Sequence, residues 1–176
     1  FPLRTTDFLM ALPLMLRHKN ISGELTLSHI SAHLGDSYKN KRRAFVYSRD
    51  FIAGRIAYSK RYGSSLSRIY GSGGYSYKMY PRYLARGYGG AGGELFLGQN
   101  QIFTPYMALD LTYNGDTRGL DQSGQIGTVL KSLSREAVNL RVALTLYHGS
   151  DRRGQYLGRR LSQIGFGVFL RHATNR

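Results

Sequence analysis

The sequence predicts an all-β fold, an antiparallel up-and-down transmembrane β-barrel of about nine strands forming one domain over residues 1–176. Three observations predict it. Apolar residues recur at every second position along most of the chain, the period of strands with one apolar and one polar face. The connections between these segments run short, long, short, longer, short, long, short, long. Barrels that cross a membrane alternate in this way, with tight turns on one side and long loops on the other. The composition also suits strands and turns, with 14 Tyr, 8 Phe, 22 Gly and only 4 Pro.

Asp7 to His18 opens the pattern, with Phe8, Met10, Leu12, Leu14 and Leu16 on one face and Asp7, Ala11 and Arg17 on the other. Asn20-Ile21-Ser22-Gly23 supplies a turn. On the second strand Leu25 and Leu27 face outward and Glu24, Thr26 and Ser28 inward; a change of phase near His29, such as a bulge, is expected to return Ile30, Ala32 and Leu34 to the apolar side. Gly35 to Arg43 reads as a long basic loop and Ala44 to Lys60 as the third strand, carrying Phe45, Tyr47, Ile52, Ile56 and Tyr58. Leu66 to Tyr80 is the fourth, with Ile69, Tyr75 and Tyr77 opposed to Arg68, Tyr70 and Lys78. Its Gly71, Gly73 and Gly74 mark a bend or room for a bulky inward side chain.

Arg82 to Gly98 is a glycine-rich fifth strand with Glu94 inward and Leu95 and Leu97 outward. Phe103 to Asn114 is the clearest, setting Phe103, Met107, Leu109, Leu111 and Tyr113 against Thr104, Asp110, Thr112 and Asn114. A polar loop to Gln122 precedes a weak seventh strand, Gly124 to Ser132. Glu136 to His148 places Val138, Leu140, Val142, Leu144 and Leu146 opposite Asn139, Arg141, Thr145 and Tyr147. After a basic loop, Arg159 to His172 carries Ile164, Phe166, Val168 and Leu170 on one face.

A soluble β-sandwich alternates in the same way. Inward Arg68, Arg141, Asp110 and Glu94 favour the membrane barrel, because charges in a dry core are costly unless paired. The longest apolar run, Phe8 to Leu16, is far shorter than the roughly 20 residues of a spanning helix. The odd strand count and the start on Phe1 are taken to mean that one or more N-terminal strands are missing. With no Cys, thiolate chemistry is excluded. The formal charge of +15 points to an anionic partner, either a phosphate-bearing membrane surface or nucleic acid. The Arg/Gly/Tyr-rich segment Arg68 to Gly93 suits nucleic acid, but its alternation favours barrel wall.

His29, Ser31 and His33 share one face of the second strand. A His two positions from a Ser can serve as base toward its hydroxyl, and a carboxylate would orient the ring. Asp36 is taken as that carboxylate, with Asp50 and Glu24 the other nearby acids. The plainer reading, a hydrogen-bonded network holding the strand end, is preferred. A metal is disfavoured, since two His at i and i+4 on a strand lie about 13 Å apart. No cofactor is implied. Lys39, Lys41, Arg42 and Arg43 in one long loop and Arg152, Arg153, Arg159 and Arg160 around another fall on the same side, a basic rim suited to lipid phosphates such as those of lipopolysaccharide. An envelope protein is the other candidate partner.

The stretches His29-Ile30-Ser31-Ala32-His33-Leu34-Gly35-Asp36, Arg68-Ile69-Tyr70-Gly71-Ser72-Gly73-Gly74-Tyr75 and Tyr147-His148-Gly149-Ser150-Asp151-Arg152-Arg153-Gly154-Gln155-Tyr156 resemble, in order, signatures of the bacterial DUF1207 family. That resemblance implies a Gram-negative cell-envelope protein of the outer membrane and supplies no mechanism. The His29-x-Ser31 pair also resembles an element of outer-membrane phospholipase A and the PagL lipid A deacylase, which implies lipid-ester hydrolysis as the enzymatic alternative.

Overall fold

The computed structural model describes residues 5–34, 47–98, 102–130, 138–151, 156 and 158–172. Nine strands form one antiparallel sheet in sequence order: β1 (Thr5–His18), β2 (Ile21–Leu34), β3 (Tyr47–Tyr62), β4 (Ser65–Tyr80), β5 (Gly87–Phe96), β6 (Phe103–Asn114), β7 (Gly119–Leu130), β8 (Val138–Ser150) and β9 (Arg160–His172). The sheet curls strongly into a half-barrel. Its curl is measured by contacts that skip strands. Tyr70 Oη on β4 donates to Asp110 Oδ2 on β6 at 2.8 Å, over the top of β5. The Arg141 guanidinium of β8 lies 5.2 Å from the Tyr106 ring of β6, over β7. Arg49 of β3 pairs with Asp116 in the turn after β6. Among the described residues β1 and β9 each pair on one side only, and with nine strands these two edges run in the same direction.

The alternation read from the sequence separates the two faces of this sheet. The convex face carries Met10, Leu12, Leu25, Leu27, Ile56, Ile69, Met107, Leu109, Leu144, Ile164 and Phe166, all exposed. The concave face carries the polar and charged residues, among them Glu24, Arg55, Arg68, Glu94, Asp110, Thr112, Asp121 and Gln125. Buried there are Ala57, Ala143, Ser76, Thr104 and Tyr106, together with Met79 and Asp121. Two glycines make room for inward tyrosines, Gly74 as the sequence suggested and Gly92 in addition. A Cβ on Gly74 would sit 2.2 Å from the Tyr88 ring, and one on Gly92 would sit 2.3 Å from the Tyr70 hydroxyl.

Several expectations need correction. The bulge expected in β2 is absent, for the β1–β2 and β2–β3 registers run unbroken through His29. Ile30 and Ala32 therefore stay on the concave face, where Ala32 is fully buried. The irregularity lies one strand further on, where Phe51 pairs with Ser76 but Asp50 pairs with Lys78. The extra residue, Tyr77, turns Lys78 to the convex face rather than the concave one expected. The polar stretch after Asn114 closes in a turn at 115–118, because Asp121 and Gln125 belong to β7 as inward residues. The short-and-long alternation then holds only at the start, with connections 19–20, 35–46, 63–64 and 81–86 followed by 97–102, 115–118, 131–137 and 151–159. Arg82 to Arg86 precede β5 rather than forming its start.

Candidate functional site

Two polar constellations stand out against this framework, one on each face. On the convex face of β2, β3 and β4 the apolar rows end at Leu27, Ile52 and Tyr75, which are mutual register partners. The next row with this orientation is His29, Asp50 and Lys78, and beyond it lie Ser31, Ser48 and Tyr80. Opposed residues of an antiparallel pair share a face, so these side chains project together. His29 Nδ1 and Asp50 Oδ1 are 2.5 Å apart, with the imidazole 44% and the carboxylate 23% exposed. A carboxylate on Nδ1 sets the tautomer in which Nδ1–H donates and leaves Nε2 as the basic nitrogen. Among the described residues neither serine hydroxyl of this cluster is hydrogen-bonded. Along β1, Met10 stands opposite His29 and Phe8 opposite Ser31, so the polar group is walled by exposed apolar side chains.

A second pair on this face lies at the same end of the sheet. His148 Nδ1 and Ser162 Oγ are 2.8 Å apart, and Gln122 is the register partner of His148 on its other side. Here the ring nitrogen that would take a carboxylate is occupied by the hydroxyl, and no acid faces it in the register.

On the concave face a chain of ion pairs and hydrogen bonds lines the interior. Arg68 Nη1 donates to Glu94 Oε2 at 3.1 Å, and Thr112 Oγ1 donates to Asp110 Oδ1 at 3.0 Å. At the end near 115–118, Asp121 accepts from Asn114 Nδ2 at 2.5 Å and from the Ser150 amide at 2.7 Å. Arg49 and Asp116, 11% and 8% exposed, close this end by spanning from β3 to the β6–β7 turn. The hollow beneath them, about 340 Å³, is bordered by Tyr47, Asp110, Thr112 and Asp121. Its polar groups largely satisfy one another, the economy expected of a narrow interior filled by side chains.

His29 and Ser31 share the convex face of β2 two residues apart, and the carboxylate that meets the imidazole is Asp50. Asp36, the acid taken from the sequence, lies outside the described residues, as do Lys39, Lys41, Arg42, Arg43, Arg152 and Arg153 of the basic rim. Arg159 and Arg160 are exposed at the start of β9, and Arg160 Nη2 donates to the Leu120 carbonyl at 3.0 Å. Lys78, Ser48 and the His148–Ser162 pair were not found by sequence reasoning. Alternation assigns a face but leaves the register open by steps of two residues, and no local signal crosses the connection 35–46 to align His29 with Asp50.

A family model described as a protein of unknown function (DUF1207) matches residues 2–172. No curated protein and no solved structure matches the chain significantly.

Proposed function

Because this chain belongs to the DUF1207 family, whose description assigns no activity, we infer from its own geometry that it is an outer-membrane β-barrel protein of the bacterial cell envelope. The observation that carries the reading is the inverted polarity of the sheet. Ile164, Phe166 and Leu170 are 77, 73 and 75% exposed on the convex face, while the charged network occupies the concave one. A face this apolar is unusual on a protein surrounded by water, where contiguous exposed patches rarely exceed a few hundred Å². It is the face a barrel turns to lipid. In hydrocarbon every backbone edge must be paired, so β1 and β9 each acquire a partner strand in the membrane. The role is structural or interactive, with the exposed Arg159 and Arg160 belonging to a basic rim that contacts anionic headgroups such as lipopolysaccharide phosphates.

Membrane insertion tests this directly. The expected result is a protein that stays with the outer-membrane fraction through an alkaline or urea wash. Refolded in detergent, it should float with phospholipid vesicles and change gel mobility on boiling. A monodisperse protein in detergent-free buffer that does not float would overturn the reading. For the rim, Arg159→Ala/Arg160→Ala should weaken binding to vesicles containing anionic lipid and leave binding to zwitterionic vesicles unchanged.

A further inference from the structure

We propose that the convex-face group Asp50–His29–Ser31 is a hydrolytic site for the acyl esters of membrane lipids, a proposal that rests on the membrane reading for its substrate. Three observations lead there. Asp50 holds His29 through Nδ1 at 2.5 Å, which leaves Nε2 as the base. Ser31 sits two residues along the same strand face, about 7 Å by strand rise, a span that the imidazole and the hydroxymethyl group can close between them. The third observation is position. His29, Asp50 and Lys78 form the row immediately after the last apolar row, Leu27, Ile52 and Tyr75. In a barrel wall that step is the edge of the hydrocarbon band, and the ester linkages of membrane lipids lie at the same boundary between acyl chains and headgroups. Phe8 and Met10, exposed on the neighbouring strand, give the acyl chain an apolar wall beside the serine. Lys78 is the register partner of Asp50 and sets a cation beside that carboxylate.

The chemistry balances with water as the only co-reactant. Ser31 Oγ bonds to the ester carbonyl carbon as its proton passes to His29 Nε2, and the carbonyl becomes an oxyanion. Collapse breaks the bond to the lipid alkoxide, which leaves with the proton from His29. Water then attacks the acyl-Ser31 ester, giving a proton to His29. The fatty acid departs, and Ser31 Oγ recovers that proton. His29 and Ser31 are the catalytic residues, and Asp50 is a positioning residue acting through His29. The His148–Ser162 pair lacks a facing acid and is not part of this site.

The test uses the full chain refolded in detergent, with its folded state shown by heat-modifiable mobility. Two esters are offered: a diacyl phosphatidylethanolamine in mixed micelles, and the water-soluble p-nitrophenyl butyrate. A fluorophosphonate probe reports the nucleophile by mass spectrometry. Fatty-acid release should fall at least 100-fold in Ser31→Ala and in His29→Ala, and persist in Ser48→Ala. The probe should label Ser31 in the wild type and fail to label it in His29→Ala. Asp50→Asn should lower kcat at least tenfold with KM unchanged, and Asp50→Glu should recover part of that loss, which a merely structural carboxylate would not do. An inserted, folded protein that cleaves neither ester and takes up no probe overturns the proposal and leaves the membrane reading intact. Ser31-dependent cleavage of the soluble ester by a protein that does not enter vesicles would keep the residue assignment and overturn the lipid substrate together with the membrane reading. Loss of activity in Ser48→Ala but not in Ser31→Ala overturns the nucleophile.

Discussion

Ile56 offers the sharpest test of which medium the convex face meets. It lies near the middle of β3, 70% exposed, with Gly23 and Gly71 as its register partners on either side. With Leu14, Leu16 and Leu25 it borders a shallow apolar groove floored by glycines. If this surface faces water, Ile56→Lys exchanges one exposed side chain for another and shifts stability by no more than about 0.5 kcal/mol. If it faces hydrocarbon, a lysine near the midplane costs about 2–4 kcal/mol. A cost of about 3 kcal/mol is roughly 100-fold in the folding equilibrium. The glycines on both sides let the lysine stem stretch toward an interface, which places the expectation in the lower half of that range. The assay is reversible guanidinium unfolding of protein folded into phospholipid vesicles, comparing wild type with Ile56→Lys. Ser123→Lys is the control, because it introduces the same ammonium on the concave face beside Asp110 and Asp121. The reasoning predicts at least 2 kcal/mol for Ile56→Lys and under about 1 kcal/mol for Ser123→Lys. Equal and small effects at both positions would refute it.

Two further outcomes follow from the interior. Gly74→Ala should destabilise by about 1–3 kcal/mol, because the new Cβ meets the Tyr88 ring. Adding Tyr88→Ser should recover most of that loss, a coupling read from the double-mutant cycle of unfolding midpoints. Arg49→Ala should cost about 3 kcal/mol, since it strands the largely buried Asp116 carboxylate. Replacing both members with Arg49→Met/Asp116→Leu should cost less than Arg49→Ala alone, as measured by guanidinium midpoints.

Convex apolar and concave polar residues alternate with period two, and the side of a strand on which a residue emerges is a local property of the backbone. That is why all nine strands, and the faces of Leu109, Asp110, Leu144 and Arg141, were legible in the sequence. A demand for space within β4 was legible at Gly74, whereas its partner Tyr88 and the matching Gly92–Tyr70 pair were not. What pairs with what was not legible. Register is decided by the whole sheet settling at once, and a shift of two residues leaves every side chain on its proper face while changing all its neighbours. The unbroken register of β2 keeps Ile30 inward and turns His29 and Ser31 out, and the same register, not sequence proximity, brings Asp50 to the imidazole. The irregularity opposite Asp50 and Phe51 moves Lys78 to the convex face. Curl is likewise collective, and it alone lets Arg49 reach Asp116, 67 positions away along the chain. Local chemistry therefore determined the strands and the medium each face suits, whereas register and curvature, which depend on contacts between distant segments, decided which polar side chains meet.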